Sequence, residues 1–214
     1  MPDATAAHML VVFARTTAGP TLFAVDPASD AVQLTPMQVL DATRPLAVVT
    51  LESAPAQLIG RQGAAGSVLA RSLDFAALAL AAEGVGAAQR CVELSVEYAT
   101  ARQQFGRPIG SFQAVKHLCA EMLAQVELAR AATEDAVLLA DEGSPGSAIA
   151  TAAAHITTSA AAMFVAKETI QVHGGIGFTW EHPAHLYFRR AKASQMLLGG
   201  PSLSHERLLE RMGI

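Results

Sequence analysis

Charge is scarce in this chain: of its 214 residues only 16% are Asp, Glu, Lys or Arg, and the formal net charge is −4. No Lys/Arg block interrupts this pattern, so nothing would grip a phosphate backbone by counterion release, and nucleic acid is excluded as an expected partner. Cysteine is equally sparse. Cys91 and Cys119 both fall in helical-looking segments, which offers no disulfide framework and predicts reduced thiols. The chain opens without a basic stretch followed by an apolar run, and a cytoplasmic location is the expectation. Internal repeats and low-complexity linkers are also missing. The longest charge-free run, 143–166, is long enough to span a bilayer. It consists of Ala, Thr, Ser and His155, with only Ile149, Ile156, Met163, Phe164 and Val165 as large apolar groups. That composition suits a tightly packed bundle interior, and no membrane span is expected.

What the chain does have is 51% hydrophobic residues and a mean hydropathy of +0.32, enough for a sizeable core in one ordinary domain or two small ones. Its character changes near Gly60. Before that point, β-rich runs at 9–16, 21–25, 32–40 and 46–51 are separated by Gly19-Pro20, Asp26-Pro27 and Arg44-Pro45, which predicts four strands of a small antiparallel sheet. Such a sheet has open edges and one face to bury, so it needs a partner surface.

From Ala64 the apolar period becomes helical. One helix is expected over 66–102, with Leu69, Leu73, Leu80, Val92, Val96 and Ala99 inward. A second is expected over 112–141, with Val115, Leu118, Met122, Val126 and Leu138 inward. A third, over 147–172, is introduced by Ser144-Pro145-Gly146 and stopped by Gly174-Gly175. Shorter helices over 183–198 and 201–212 meet at Gly199-Gly200-Pro201. Long helices with short connections fold back on each other. The expected fold class is α+β, mainly α: a partial antiparallel β-domain over 1–60, then an up-down helical bundle over 61–214.

Two loops could carry chemistry. The run from Arg102 to Gly110 joins the first two long helices and brings together two arginines, Phe105 and two glycines. An arginine there can clasp a phosphate with paired hydrogen bonds, Phe105 offers a face to a heteroaromatic ring, and Gly106 lets the backbone approach. The plainer alternative is a helix C-terminus followed by a proline-stiffened turn. The second loop runs from Gln171 to Pro183. Its glycines end a helix instead of following a strand, which excludes a dinucleotide-fold reading. They could still turn backbone N–H groups toward an anion, with Gln171 as a side-chain donor; a glycine-terminated helix is the alternative. His182 and His185 are three apart, but Pro183 makes His182 a pre-helix residue and no third ligand lies near in sequence, so no metal is expected. No nucleophile-elbow pattern is present.

Taken together, the two loops are specific. Tyr98-x3-Arg102-x2-Phe105-Gly106-x2-Ile109-x2-Phe112-Gln113, then Gln171-x2-Gly174-Gly175-x-Gly177-Phe178-Thr179-x-Glu181-x-Pro183, then Arg189-Arg190-Ala191, resembles the C-terminal half of the acyl-CoA dehydrogenases. The segment from Met1 to Leu58 resembles the end of that family's middle β-domain. The wording from Phe178 to Tyr187 resembles an actinobacterial-type branch, some of whose members act on steroid side-chain thioesters as mixed-subunit complexes. The resemblance implies FAD held between subunits. Arg102 and Gln113 would contact its diphosphate and adenosine portion, with Phe105 beside it, and Gln171, Gly174 and Gly175 would reach it from a neighbouring subunit. It further implies an acyl-CoA substrate, a homo- or hetero-oligomer (dimer or tetramer), and an electron-transfer flavoprotein as acceptor. The implied reaction is α,β-dehydrogenation: a glutamate takes the α-proton while hydride leaves the β-carbon for the flavin.

The sequence departs from that pattern at the base. The position preceding the Gly-Thr pair of the family is Leu198, and the alternative position, 26 residues ahead of the loop arginine, is Ala76. Neither accepts a proton, and no catalytic residue is assigned; Glu83 and Glu181 are substitutes whose plainer role is a surface carboxylate. The family's N-terminal helical domain and early strands have no counterpart here, so the expectation is a fragment or a chain whose partner supplies the missing walls. A catalytically silent assembly subunit is the competing function.

Overall fold

The computed structural model describes Met1–Ile214, which divide into two compact units, Met1–Leu73 and Asp74–Ile214. The first contains β1 (Leu10–Thr16), β2 (Gly19–Val25), β3 (Val32–Pro36), β4 (Ala47–Leu51) and β5 (Ala56–Ile59). These form two separate antiparallel sheets, one in the order β1-β2-β5 and one of β3 with β4. Leu10, Val25, Ala47 and Ala4 make its small core. Thr21 is fully buried in β2, and its hydroxyl accepts the Gly63 N–H at 2.8 Å. The structure thus has one strand more than the sequence reading. All four residues of β5 are exposed, so it carries none of the apolar alternation that reveals a half-buried strand. The run expected to reach Leu40 ends at Pro36, whose ring has no N–H to donate to a further rung.

Helix α1 (Gly66–Ala101) leads into the second unit. It is followed by a hairpin of β6 (Gln103–Gln104) and β7 (Arg107–Pro108), then α2 (Gln113–Asp141), α3 (Ser147–His173), α4 (Ala184–Leu197) and α5 (Gly200–Met212). The buried positions of α1 include Ala81, Val85, Ala88, Val92, Ser95 and Ala99, and those of α2 are Met122, Val126, Ala129, Thr133 and Ala136. Both stripes alternate steps of four and three, the seam of helices packed at shallow angles. Helix α3 is buried on nearly every side. By length and composition Ser147–Phe178 would also cross a membrane, but here it is the central rod, packed against α2, α4 and α5.

Small residues bring the rods close. A Cβ on Gly84 would stand 2.7 Å from the Thr158 Cγ2. Hydroxyls that would otherwise be buried without partners pair across the seams, Ser95 with Thr169 at 3.2 Å and Thr133 with Thr158 at 3.1 Å. Met122 and Val126 are fully buried in the main cluster, each contributing about 1.5–3 kcal/mol of transfer free energy. Two residues expected inward are not. Leu138 is 62% exposed and Val96 is 44% exposed, because the seams run through Ala136 and through Ser95 and Ala99, displaced from the larger side chains.

Candidate cofactor site at one end of the helical unit

Helices α1 and α3 touch at Gly84–Thr158 and again at Ser95–Thr169, eleven residues further along each, so they run in the same direction and their C-termini share one end. The rings of Tyr98 and His173 stack there with centroids 4.5 Å apart, and the two loops singled out in the sequence leave from that point.

The first loop is a tight hairpin rooted on Arg102. Its N–H makes the last helical bond, to the Tyr98 carbonyl at 2.8 Å, and its own carbonyl accepts from the Ile109 N–H at 2.8 Å. The two residues at the tip, Phe105 (φ 54°) and Gly106 (φ 80°), both have positive φ, the signature of a type I′ turn. Asparagine-glycine is the usual occupant; a phenylalanine in that conformation costs of order 1 kcal/mol. Its ring gains little from the fold, being 90% exposed and touching only the edge of Phe112, 6.1 Å between centroids. The Arg107 guanidinium covers Phe112 at 4.1 Å, a cation–π contact that stiffens the base. Gly110 is required where it is, since a Cβ would lie 2.9 Å from the Ala99 carbonyl oxygen. Arg102 is exposed and makes no ion pair within the chain. Gln113, also exposed, opens α2 beside the hairpin.

The second loop begins at Gln171, exposed on the last turn of α3. Gly174 (φ 63°, ψ −140°) closes the helix in a conformation open only to glycine, and its N–H is already bonded to the carbonyls of Gln171 and Ile170. The expectation that this N–H faces an anion is therefore corrected: capping α3 consumes it. Gly177 is forced by proximity, since a Cβ there would stand 3.0 Å from the Ile170 carbonyl oxygen. Gly175 is different. It has ordinary φ and open space around it, so nothing in this chain demands glycine there.

Sequence reading weighed His182 and His185 only as metal ligands and missed the ring stack in which His173 and His182 take part. His173 Nδ1 lies 2.7 Å from the Thr169 carbonyl, which assigns the proton to Nδ1 and leaves buried Nε2 as an acceptor with no partner. His182 packs on it with centroids 4.1 Å apart, and its Nδ1 accepts the Ala184 N–H at 3.2 Å, capping α4. Burial pushes both imidazoles below the ordinary histidine range, His182 further opposed by His173 and His185. His185 meets Trp180 edge-on at 4.5 Å, with the Arg189 guanidinium 5.2 Å over the indole. The available signal was the placement of Tyr98 one helical turn before Arg102, which puts an aromatic beside whatever ends α3.

No carboxylate stands at either base position. Leu198 caps α4, half-buried, its carbonyl accepting from Arg207 Nη1 at 3.1 Å. Ala76 is half-buried on α1. Glu83 pairs with Arg190 at 3.1 Å, and Glu181 is exposed.

A helical unit of this order, with a strained hairpin and a glycine turn at one end, is that of the acyl-CoA dehydrogenase C-terminal domain. Residues 65–212 match the family model described as "Acyl-CoA dehydrogenase, C-terminal domain", and the chain belongs to the acyl-CoA dehydrogenase family. It is 47% identical over 177 residues to the acyl-CoA dehydrogenase FadE34 of Mycobacterium tuberculosis, covering 82% of this chain and 24% of that protein. Among solved structures it is similar to a chain from work on the electron transferring flavoprotein of Acidaminococcus fermentans (TM-score 0.93, 28% identity, 99% of this chain and 58% of that one). It is also similar to the Tcur3481-Tcur3483 steroid acyl-CoA dehydrogenase (TM-score 0.89, 32% identity, 99% and 57%). The chain thus spans about a quarter of the curated relative and under two thirds of either solved structure. The family is in general FAD-dependent.

Proposed function

We propose that this chain is a flavoprotein subunit of an oxidoreductase that dehydrogenates an acyl-CoA thioester between its α and β carbons, and that its helical unit holds part of FAD. The observation that carries the reading is Phe105, held exposed at positive φ beside the unpaired Arg102. A fold retains strain of that kind where an external group offsets it. Arg102 supplies a permanent charge and a donor fork matched to a diphosphate, which lysine would not reproduce. Phe105 presents a ring face, Gln113 a side-chain amide, and Gln171 with Gly174 and Gly175 an uncrowded turn; in this reading the glycine turn serves the FAD of a neighbouring subunit. Bound FAD would supply the hydride acceptor, and Arg102, Gln113 and Gln171 would be the residues of this chain that hold its phosphates and adenosine portion.

Leu198 and Ala76 supply no base, so proton abstraction falls to a companion subunit. An electron-transfer flavoprotein as acceptor and a steroid-derived substrate fit the words in the names of the two solved structures; a side-chain thioester as that substrate, a cytoplasmic location and a domain boundary near residue 60 belong to the same reading. The second reading, a silent assembly subunit, draws on the same two positions, which hold no carboxylate. Co-expression with the genes beside it, followed by a visible spectrum of the purified complex, separates them. Flavin absorption that disappears in Arg102→Ala supports the flavoprotein; a stable colourless complex supports the silent subunit. The isolated chain is expected to reduce no dye with any acyl-CoA, and turnover at the rate of ordinary family members would refute the missing base.

A further inference from the structure

Three stretches of chain remote in sequence meet in a single column of rings. Tyr98 lies on the last turn of α1, His173 is the last residue of α3, and His182 stands just ahead of α4. The ring planes are 29° and 35° from parallel. Burial holds both imidazoles below the ordinary histidine range, so at neutral pH they meet as uncharged rings and do not repel each other. The column stands at the roots of both loops. The Tyr98 carbonyl accepts the Arg102 N–H, and His173 lies between Gln171 and Gly174. No hydrogen bond or ion pair passes directly from the hairpin to the glycine turn.

A histidine is a costly way to fill this space. Its Nδ1 serves the Thr169 carbonyl, a common use of the residue at a helix C-terminus, but the buried Nε2 has no partner, a penalty that leucine would not carry. What leucine lacks is a flat face. Stacked planes hold a preferred separation and tilt, whereas aliphatic contact is non-directional and lets the parts slide. The column therefore favours fixed orientation over the cheapest packing.

We infer that the Tyr98–His173–His182 column is a splint for the two loops and that His173 is a positioning residue: its ring, clamped on both faces, holds the Arg102 hairpin and the Gln171–Gly175 turn in the orientation in which flavin meets them. The inference rests on the flavoprotein reading. Loops ordered in advance spare the binding step the cost of ordering them. The test is a titration of FAD, read by quenching of its fluorescence, into the co-expressed complex stripped of flavin, with the melting temperature of each flavin-free variant measured alongside. At the half-buried outer ring, His182→Phe keeps the face but loses the acceptor for the Ala184 N–H, whereas His182→Asn keeps an acceptor and loses the face. His182→Phe is expected to bind FAD within about twofold of the unaltered complex and His182→Asn about tenfold more weakly, whichever of the two melts lower. His173→Phe and His173→Leu should divide in the same way, and the pair at 182 decides the matter if His173→Leu fails to fold. Equal affinities in His182→Phe and His182→Asn, or weaker binding in the phenylalanine variant, overturn the inference alone. An unaltered complex that takes up no FAD overturns the flavoprotein reading and the inference with it.

Discussion

The two ends of the helical unit are built from the same parts and left in opposite states. At the end where α2 turns into α3, Gly143 takes positive φ, the Ser144 N–H returns to the Leu139 carbonyl at 2.9 Å, and the Gly146 N–H finds the Ser144 hydroxyl at 3.3 Å. The arginine of that end, Arg211, donates to the Ala148 carbonyl at 2.7 Å and pairs with Asp74. At the other end Arg102 is unpaired, Phe105 is strained and exposed, and His173 keeps an orphaned nitrogen. One terminus has met its polar demands from within. The other has been left to be completed from outside, which is how a fold advertises a site.

The comparison can be broken in four ways. Met122→Ala, in the core that both ends share, should cost about 2–5 kcal/mol. It should lower the melting temperature while leaving the flavin bound per folded complex unchanged; a selective loss of flavin would mean that the ends are not separable. Exchanging the two arginines' fates is the sharper test. Arg102→Ala should weaken FAD binding about 10–100-fold with stability unchanged, whereas Arg211→Ala should lose about 1–3 kcal/mol of stability with FAD affinity unchanged. Calorimetry and a flavin titration on both variants would expose a reversal. Phe105→Asn places the preferred residue at a type I′ position and should stabilise the fold by about 0.5–1 kcal/mol while reducing flavin retention. A loss of stability would show that the ring supports the hairpin.

The smallest effect is acid sensitivity. His155, His173 and His182 all have pKa values lowered by burial, so near and below the ordinary histidine value the unfolded chain binds more protons than the folded one. Their contribution is complete above that value and declines as pH falls through it toward the folded pKa values. Melting temperature should fall on acidification across that window, and His173→Phe should flatten the slope; an unchanged slope would remove the stacked histidines from the account.

Much of this was legible in order of residues alone, and the reason is local chemistry. The start of α1 at Gly66, the end of α2 at Asp141 and the start of α3 at Ser147 were all marked by glycine, proline or serine at the boundary. What escaped detection depends on distant partners. The β5 strand has no pattern of its own and exists through pairing with β2. Leu138 carried the larger side chain, but the seam chose Ala136, because small residues let the rods approach. At the candidate site the motif residues were visible, yet the commitment of the Gly174 N–H to its own helix and the Tyr98–His173–His182 stack were not. Both need the ends of two helices, remote in sequence, to be placed together first.

The absence of a methyl group at Gly84 has a reach beyond its own contact. With Thr158 Cγ2 only 2.7 Å from where that methyl would be, α1 and α3 are keyed to each other at one height, like a notch that prevents one shaft from sliding along another. The hairpin bearing Arg102 lies about eighteen residues further on, about 27 Å along the helix at 1.5 Å per residue. A single alanine at this distant notch would have to displace the methyl group of Thr158, whose hydroxyl is paired with Thr133, so the strain would fall first on that seam and reach the hairpin only as far as α1 moves against α3.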